Sequence, residues 1–309
     1  MSPRISVVTP TYERVATLPR LYRSLLAQDF ADFDWVVLDD GSSDGTGELV
    51  RGWAGEAPFA IDYRRQRNQG KHAAVNRGVE LASGEFCALM DSDDWYAPQA
   101  LRRMIESWES IPTARRDRFV GVEGLCADPD GEVIGSRFPA SVLDSDTFRI
   151  SVVHEVDGDK IGMQRRDVLL ANPFPEDLGW HVTPSLVWNR IAARWCSRFV
   201  DEVWAYKEYL SQGLSGRDAE LRLRYPRAQL VYWREFAAMP GSIRLLPRLR
   251  ANTNYVRYSL LTGESPWRLL WRAPRRGWAL LAAPLGALYY LRDRPRLAAV
   301  AEAEGDDRD

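Results

Sequence analysis

Cysteine is scarce: Cys87, Cys126 and Cys196 are the only three, widely spaced and with no C-x-x-C pair. An odd number at such spacing argues against a disulfide framework and against a cysteine-based zinc site, and fits a reducing cytoplasm. Net charge is nearly absent too, 41 basic against 43 acidic side chains, so the whole chain offers no argument for nucleic-acid binding. No apolar run reaches the roughly 20 residues of a spanning helix. Met1-Ser2-Pro3-Arg4 runs straight into a strand-like segment, which leaves no room for a secretion signal. No G-x-G-x-x-G follows that first segment, which counts against a dinucleotide-dependent dehydrogenase, and Gly70-Lys71 lacks the spacing of a P-loop. No repeat or low-complexity tract appears before the acidic tail, Glu302 to Asp309, expected to be disordered.

What is present is enough apolar material, 45% of 309 residues, for one large core or two modest ones. From Ile5 to about Ser110, short apolar runs alternate with helical patterns: Ile5 to Val8, Leu18 to Gln28, Trp35 to Leu38, Gly45 to Trp53, Ile61 to Tyr63, Lys71 to Leu81, Phe86 to Met90 and Pro98 to Trp108. This alternation predicts βα units around a mostly parallel, Rossmann-like sheet covered by helices. Ligands of such α/β sheets bind outside the C-terminal strand ends. Three polar clusters fall there: Thr9 to Glu13, Asp39 to Ser42 and Asp91 to Asp94. From Arg118 to about Lys207 the pattern loosens, with a hairpin turn at Asp128-Pro129-Asp130-Gly131 and a loop at Asn172 to Asp177. That stretch is expected to complete the sheet and form an acceptor pocket.

Asp91-Ser92-Asp93-Asp94 carries the strongest chemical signal. Three carboxylates at the mouth of a buried strand repel one another, so a compensating cation is required. Oxygen ligands suit Mn²⁺ or Mg²⁺, which pair a few carboxylates with substrate phosphates. An isolated D-x-D would ordinarily be a solvated turn. Asp39-Asp40-Gly41-Ser42-Ser43-Asp44-Gly45-Thr46 follows a strand and opens a helix. Its glycines permit positive φ, and Ser43 or Asp44 can cap the helix. Paired acids at the strand end could also accept from a uracil N3–H or from ribose hydroxyls. Asn68-Gln69-Gly70-Lys71-His72 begins the next helix, where free amides, Lys71 and His72 favour anions.

These motifs, with Ile5 to Tyr12, Asn76 and Ala82-Ser83-Gly84-Glu85-Phe86, occur in the order and spacing of family 2 glycosyltransferases, which residues 5 to about 110 resemble. The resemblance implies a GT-A fold and inverting transfer of a sugar from a nucleotide-sugar, usually UDP-linked, to a hydroxyl of a glycan or lipid-linked glycan. By position, Pro10 and Tyr12 would line the base pocket, and Asp40 would meet the base with Asp39 beside it. Asp93 would touch ribose or metal, and Asp94 would ligate the metal. Relatives carry an acidic pair just before an arginine as the general base. The matching stretch, His181 to Arg190, has no carboxylate, which leaves Asp177, Glu176 and His181 as candidates. The missing pair also keeps a catalytically silent nucleotide-sugar binder or scaffold in view. Arg194-Trp195 resembles part of a processive signature, but Ile191 stands where its glutamine would be. A nucleotidyltransferase would need a glycine-rich basic loop where Thr9 to Glu13 stands.

The domain reading is a catalytic unit over 1–210 (donor half 1–110, acceptor half 111–210), a basic aromatic helical extension over 211–300, and the tail at 301–309. Between Gly241 and Val300, eleven arginines stand against Glu264 and Asp293, interleaved with Trp267, Trp271, Trp278, Tyr289 and Tyr290. Gly277 to Leu291 is mostly apolar, and Pro284 and Gly286 are expected to shorten any helix there. The segment reads either as an anchor on anionic membrane or as a helical extension packed on the catalytic domain.

Overall fold

The structure, a computed structural model, describes residues 2–208, 216–239 and 244–306. Contacts divide the chain into two compact units, residues 1–174 with 190–208, and residues 175–189 with the chain beyond 208. Residues 175–189, read from sequence as part of the acceptor half, group by contacts with the chain beyond 208.

The first unit opens with β1 (Ile5–Thr11), α1 (Leu18–Leu26), β2 (Phe33–Asp39), α2 (Thr46–Ala54), β3 (Ile61–Arg65), α3 (Lys71–Leu81) and β4 (Phe86–Leu89). All seven residues of β1 are buried, as a central strand covered on both faces demands. The covering helices explain the pattern. Pro19 starts α1, which turns Leu18, Leu21 and Leu25 inward. In α3, a Cβ on Gly78 would lie 2.3 Å from Val8 Cγ1, so glycine lets this helix press onto β1.

There follow β5 (Trp95–Tyr96), α4 (Ala100–Glu109), β6 (Phe119–Ala127), β7 (Val142–Ser145), α5 (Thr147–Val152), β8 (Lys160–Arg165), α6 (Arg166–Ala171) and β9 (Cys196–Tyr206), while α7 (Ser185–Ala192), between α6 and β9 in the chain, begins in the 175–189 stretch of the second unit. Strand order is β3-β2-β1-β4-β8-β6-β9-β5, with β7 also on β9. The sheet is mixed. Strands β3-β2-β1-β4 are parallel and built from helical crossovers, β8 runs antiparallel to both β4 and β6, and β6 pairs in parallel with β9. Asp128 forms the expected turn: its carboxylate accepts from the Asp130 and Glu132 amides. Cys87, Cys126 and Cys196 are free thiols.

The second unit contains α8 (Asp218–Arg224), α9 (Pro226–Ala238), α10 (Leu245–Leu261), α11 (Pro266–Arg272) and α12 (Arg276–Asp306). Its core gathers Trp233, Tyr255, Tyr258 and Leu269. Here the sequence expectation fails, because α12 continues through Pro284 and Pro295. Gly286 stabilises the arrangement by packing: a Cβ there would lie 2.6 Å from Val256 Cβ, so α12 approaches α10 closely. The backbone of 301–306, expected as an unstructured tail, is the end of the same helix, while 307–309 lie outside the described residues. Among the described residues, no helix is long and apolar enough to cross a membrane.

Candidate functional site

Register brings the three polar clusters to one edge. Thr11 pairs with Asp39 at the ends of β1 and β2, Val8 pairs with Leu89 of β4, and the Asp40 amide donates to Thr11 O at 2.8 Å. The chain therefore leaves all three strands at the same side of the sheet.

Asp39 is fully buried. The Gly41 and Ser42 amides donate to its Oδ1 at 3.1 and 2.7 Å, and the Tyr63 hydroxyl donates to Oδ2 at 2.6 Å. Burial, and behind it the Asp39 carboxylate, pushes the Tyr63 phenol up to about 12. Asp40 links two loops. Its Oδ1 accepts from Gln66 Nε2 and the Gln69 amide, and its Oδ2 accepts from the Gly70 amide at 2.8 Å. Both acids shape the loops, a duty the sequence assigned to Ser43 and Asp44. Asp44 does share it, accepting from the Thr46 amide and the Val15 amide. Gly41 and Gly45 have φ of 97° and 93°, as the loop requires. Pro10 is buried in β1, and Tyr12, at 45% exposure, faces solvent just beyond it.

The acidic turn after β4 is the charged centre. Asp91, Asp93 and Asp94 place carboxylate oxygens within 4.8 Å of one another. Lys71 Nζ lies 2.6 Å from Asp91, and Lys207 Nζ lies 3.0 Å from Asp94, 3.0 Å from Asp159 and 3.7 Å from Asp91. Arg14 stands 3.8 Å from Asp93. Arg20 donates to the Asp93 carbonyl at 2.6 Å while its guanidinium stacks 3.9 Å over Trp95. His72 is buried in the first turn of α3.

Burial alone would raise Asp91, but the Lys71 and Lys207 ammoniums hold it well below the usual carboxylate range. Burial, joined by Asp91 and Asp93, pushes Asp94 up to about 7 despite Lys207. The same three acids, Asp91, Asp94 and Asp159, keep Lys207 charged against its own burial. Three cations, Lys71, Lys207 and Arg14, thus stand against four carboxylates, Asp91, Asp93, Asp94 and Asp159. Three hard oxygen donors within 4.8 Å of one another fit a divalent ion of the Mn²⁺ or Mg²⁺ type.

Asp91 was read from sequence as part of the acidic cluster without a role of its own, whereas Asp159, Lys207, Arg14 and Arg20 were not singled out as site residues at all. Asn76, read as a motif residue, makes a reciprocal pair with Phe174: its Nδ2 donates to Phe174 O and its Oδ1 accepts from the Phe174 amide, both at 2.9 Å. Glu176, Asp177 and His181 belong to the second unit. There His181 Nε2 lies 4.0 Å from Asp218, and Gln229 donates to Thr183 Oγ1 at 2.6 Å.

Comparison with known proteins adds the context. Residues 6–131 match the family profile described as Glycosyl transferase family 2. An uncharacterized glycosyltransferase of Nostoc is 36% identical over 107 residues, 35% of this chain and 33% of that protein. The GalNAc(5)-diNAcBac-PP-undecaprenol beta-1,3-glucosyltransferase of Campylobacter jejuni is 35% identical over 147 residues, 47% of this chain and 45% of that protein. The chain therefore spans between a third and a half of these two relatives. Staphylococcus aureus TarS, solved with UDP-GlcNAc, superposes with a TM-score of 0.59 at 17% identity, covering 94% of this chain and 91% of that one. At that identity the likeness is one of fold.

Proposed function

We propose, from the premise that residues 6–131 are a glycosyl transferase family 2 domain, that the chain moves a sugar from a nucleotide-sugar, a UDP-sugar first, to an acceptor hydroxyl with inversion. The observation that carries this reading is the cluster of Asp91, Asp93 and Asp94 at the C-terminal strand edge, beside Lys71 and Lys207. A divalent ion held there would supply Lewis acidity to the departing diphosphate.

The protein's own groups provide the rest. Asp39 and Asp40 hold the loops that face a nucleotide, and Pro10 and Tyr12 flank the position of its base. Asp93 would reach the ribose or the metal, and Asp94 would ligate the metal. Lys71, at the helix start, and Lys207 set positive charge where phosphate oxygens would lie. Asp177, Glu176 and His181 are the candidate bases for the acceptor hydroxyl. A glycan or lipid-linked glycan of the cell envelope suits the acceptor, given the undecaprenol-linked name of the Campylobacter relative. The site of action is cytoplasmic, with peripheral contact on anionic membrane, and involves no nucleic acid.

Calorimetric titration with UDP, UDP-sugars and GDP-sugars, with and without Mn²⁺, on wild type and Asp94→Ala tests this. Metal-dependent binding of one nucleotide family, lost in the variant, supports the donor site. No binding of any of them ends the reading. Binding without turnover or slow donor hydrolysis would assign the silent binder that the carboxylate-free stretch from His181 to Arg190 suggests.

A further inference from the structure

Helix α12 turns its residues the wrong way round for a soluble surface helix. At about 100° per residue, Leu280, Leu281, Leu285, Leu288 and Leu291 share an arc of about 140°. All five are exposed, Leu281 by 65% and Leu291 by 61%. The opposite arc, buried in the second unit, carries Ala279, Ala282 and Gly286, with Asp293 buried further along. Small residues face the core and large ones face solvent. Burying a leucine stabilises a fold, so outward leucines in this number mark a surface that another phase or molecule covers.

Aromatic and cationic groups extend the same face. Trp267 and Trp271 on α11, exposed by 70% and 58%, pack edge to face at 6.2 Å. The Arg276 guanidinium lies 4.4 Å over the Trp271 ring and joins α11 to the start of the leucine stripe. From Glu264 to Leu297, seven arginines meet only two acids. Glu264 pairs with Arg272, and Asp293 is buried between Arg257 and Arg292, which leaves an excess of five positive charges over that stretch, with Arg268, Arg275 and Arg276 among the arginines outside these pairs.

We infer that the α11–α12 face seats on an anionic phospholipid surface, with the leucines at the acyl boundary, the tryptophans at headgroup depth and the arginines on phosphates. This deepens the peripheral contact proposed above by giving it residues. The stripe from Leu280 to Leu291 is about 17 Å long, roughly half the thickness of a hydrocarbon core, so the helix lies along the surface. A second copy is the poorer occupant: a two-fold contact would bring the same arginine-rimmed patch against itself, with no exposed acid among its described side chains to answer.

The test is flotation of the full chain with vesicles of phosphatidylcholine alone or mixed with phosphatidylglycerol, at low and high salt. Wild type is expected to bind the mixed vesicles at least about ten-fold better, with salt weakening it. Leu281→Asp with Leu288→Asp should lose about ten-fold or more on the mixed vesicles. Arg268→Gln, Arg272→Gln and Arg276→Gln together should erase the preference for them. Each variant should keep the wild-type melting curve and UDP titration, which separates this inference from the transferase reading. The inference is overturned if wild type ignores the mixed vesicles or the leucine variant binds like wild type. A dimer that the leucine variant dissolves, without vesicle binding, would hand the face to a second copy. Failure of the UDP titration with vesicle binding intact would remove the transferase reading and leave the lipid surface standing.

Discussion

Lys207 Nζ sits 3.0 Å from the Asp94 carboxylate and ties the residue just past β9 to the acidic turn after β4. The same ammonium reaches Asp159 and Asp91. It is the internal counter-charge of the candidate metal site.

Lys207→Met should therefore leave those acids in mutual repulsion. Removing one partner of a largely buried ion cluster costs about 3 kcal/mol, measured as a fall in the urea midpoint without metal. Mn²⁺ should restore more stability to the variant than to wild type, because a bound cation replaces the missing one. An equal Mn²⁺ effect on both proteins would count against this role.

Asp40→Asn replaces an acceptor of three hydrogen bonds with an amide that turns donors toward donors. Because the remaining carboxamide oxygen serves only one side, either the Gly70 amide or the Gln66 and Gln69 donors lose their acceptor, and the expected loss is about 2 kcal/mol. The loop before α3 should also exchange its amide hydrogens faster than in wild type. If exchange at Gln69 and Gly70 is unchanged, Asp40 does not hold that loop.

Tyr63 supplies a pH signature. Its phenol is raised above the ordinary value of 10, so the stability it contributes is fully present below pH 10 and fades as pH rises toward about 12. Tyr63→Phe, which loses the bond to Asp39, should be less stable than wild type by about 1 kcal/mol at pH 8, a value reduced for the ring's partial exposure. The gap should narrow above pH 10 in chemical unfolding curves. A gap that stays constant would place the effect in packing.

Gly286→Leu places a side chain where even a Cβ would lie 2.6 Å from Val256. Overpacking of this kind costs about 1–3 kcal/mol or more. Calorimetry should show a clearly lowered melting temperature, whereas Leu281→Ala on the exposed arc should leave it nearly unchanged. A Gly286→Leu protein as stable as wild type would mean that the two helices do not meet there.

The sequence made the first half of the sheet readable because β1 to β4 alternate with helices that each carry a local apolar stripe. The acidic turn was readable for the same reason: Asp91, Asp93 and Asp94 are neighbours in the chain. Lys207 was not, since a lone lysine after a strand has no local signature and its meaning comes from Asp91 and Asp94, over a hundred positions away, and from Asp159. Arg20 was hidden likewise, an ordinary surface arginine of α1 until folding lays it on Trp95. Asp39 and Asp40 were visible as a motif, but not the amides of Gly41, Ser42, Gln69 and Gly70 that occupy them. Pro284 and Gly286 misled because propensity weighs each residue alone. In α12 the glycine is favoured by the helix it touches.

The first unit is assembled from two separate stretches of chain, and this bears on how it is made. When a ribosome has released residues 6–131, the acids after β4 have emerged with Lys71, but neither β8, which completes the middle of the sheet, nor Lys207 yet exists. The nascent segment carries an unpaired strand edge and an under-compensated charge cluster until about residue 208 has cleared the exit tunnel. Such long-range closure is slow and leaves intermediates exposed to aggregation. A fragment cut at the end of the family match should therefore be sticky and short-lived in solution, however complete its motifs look on paper.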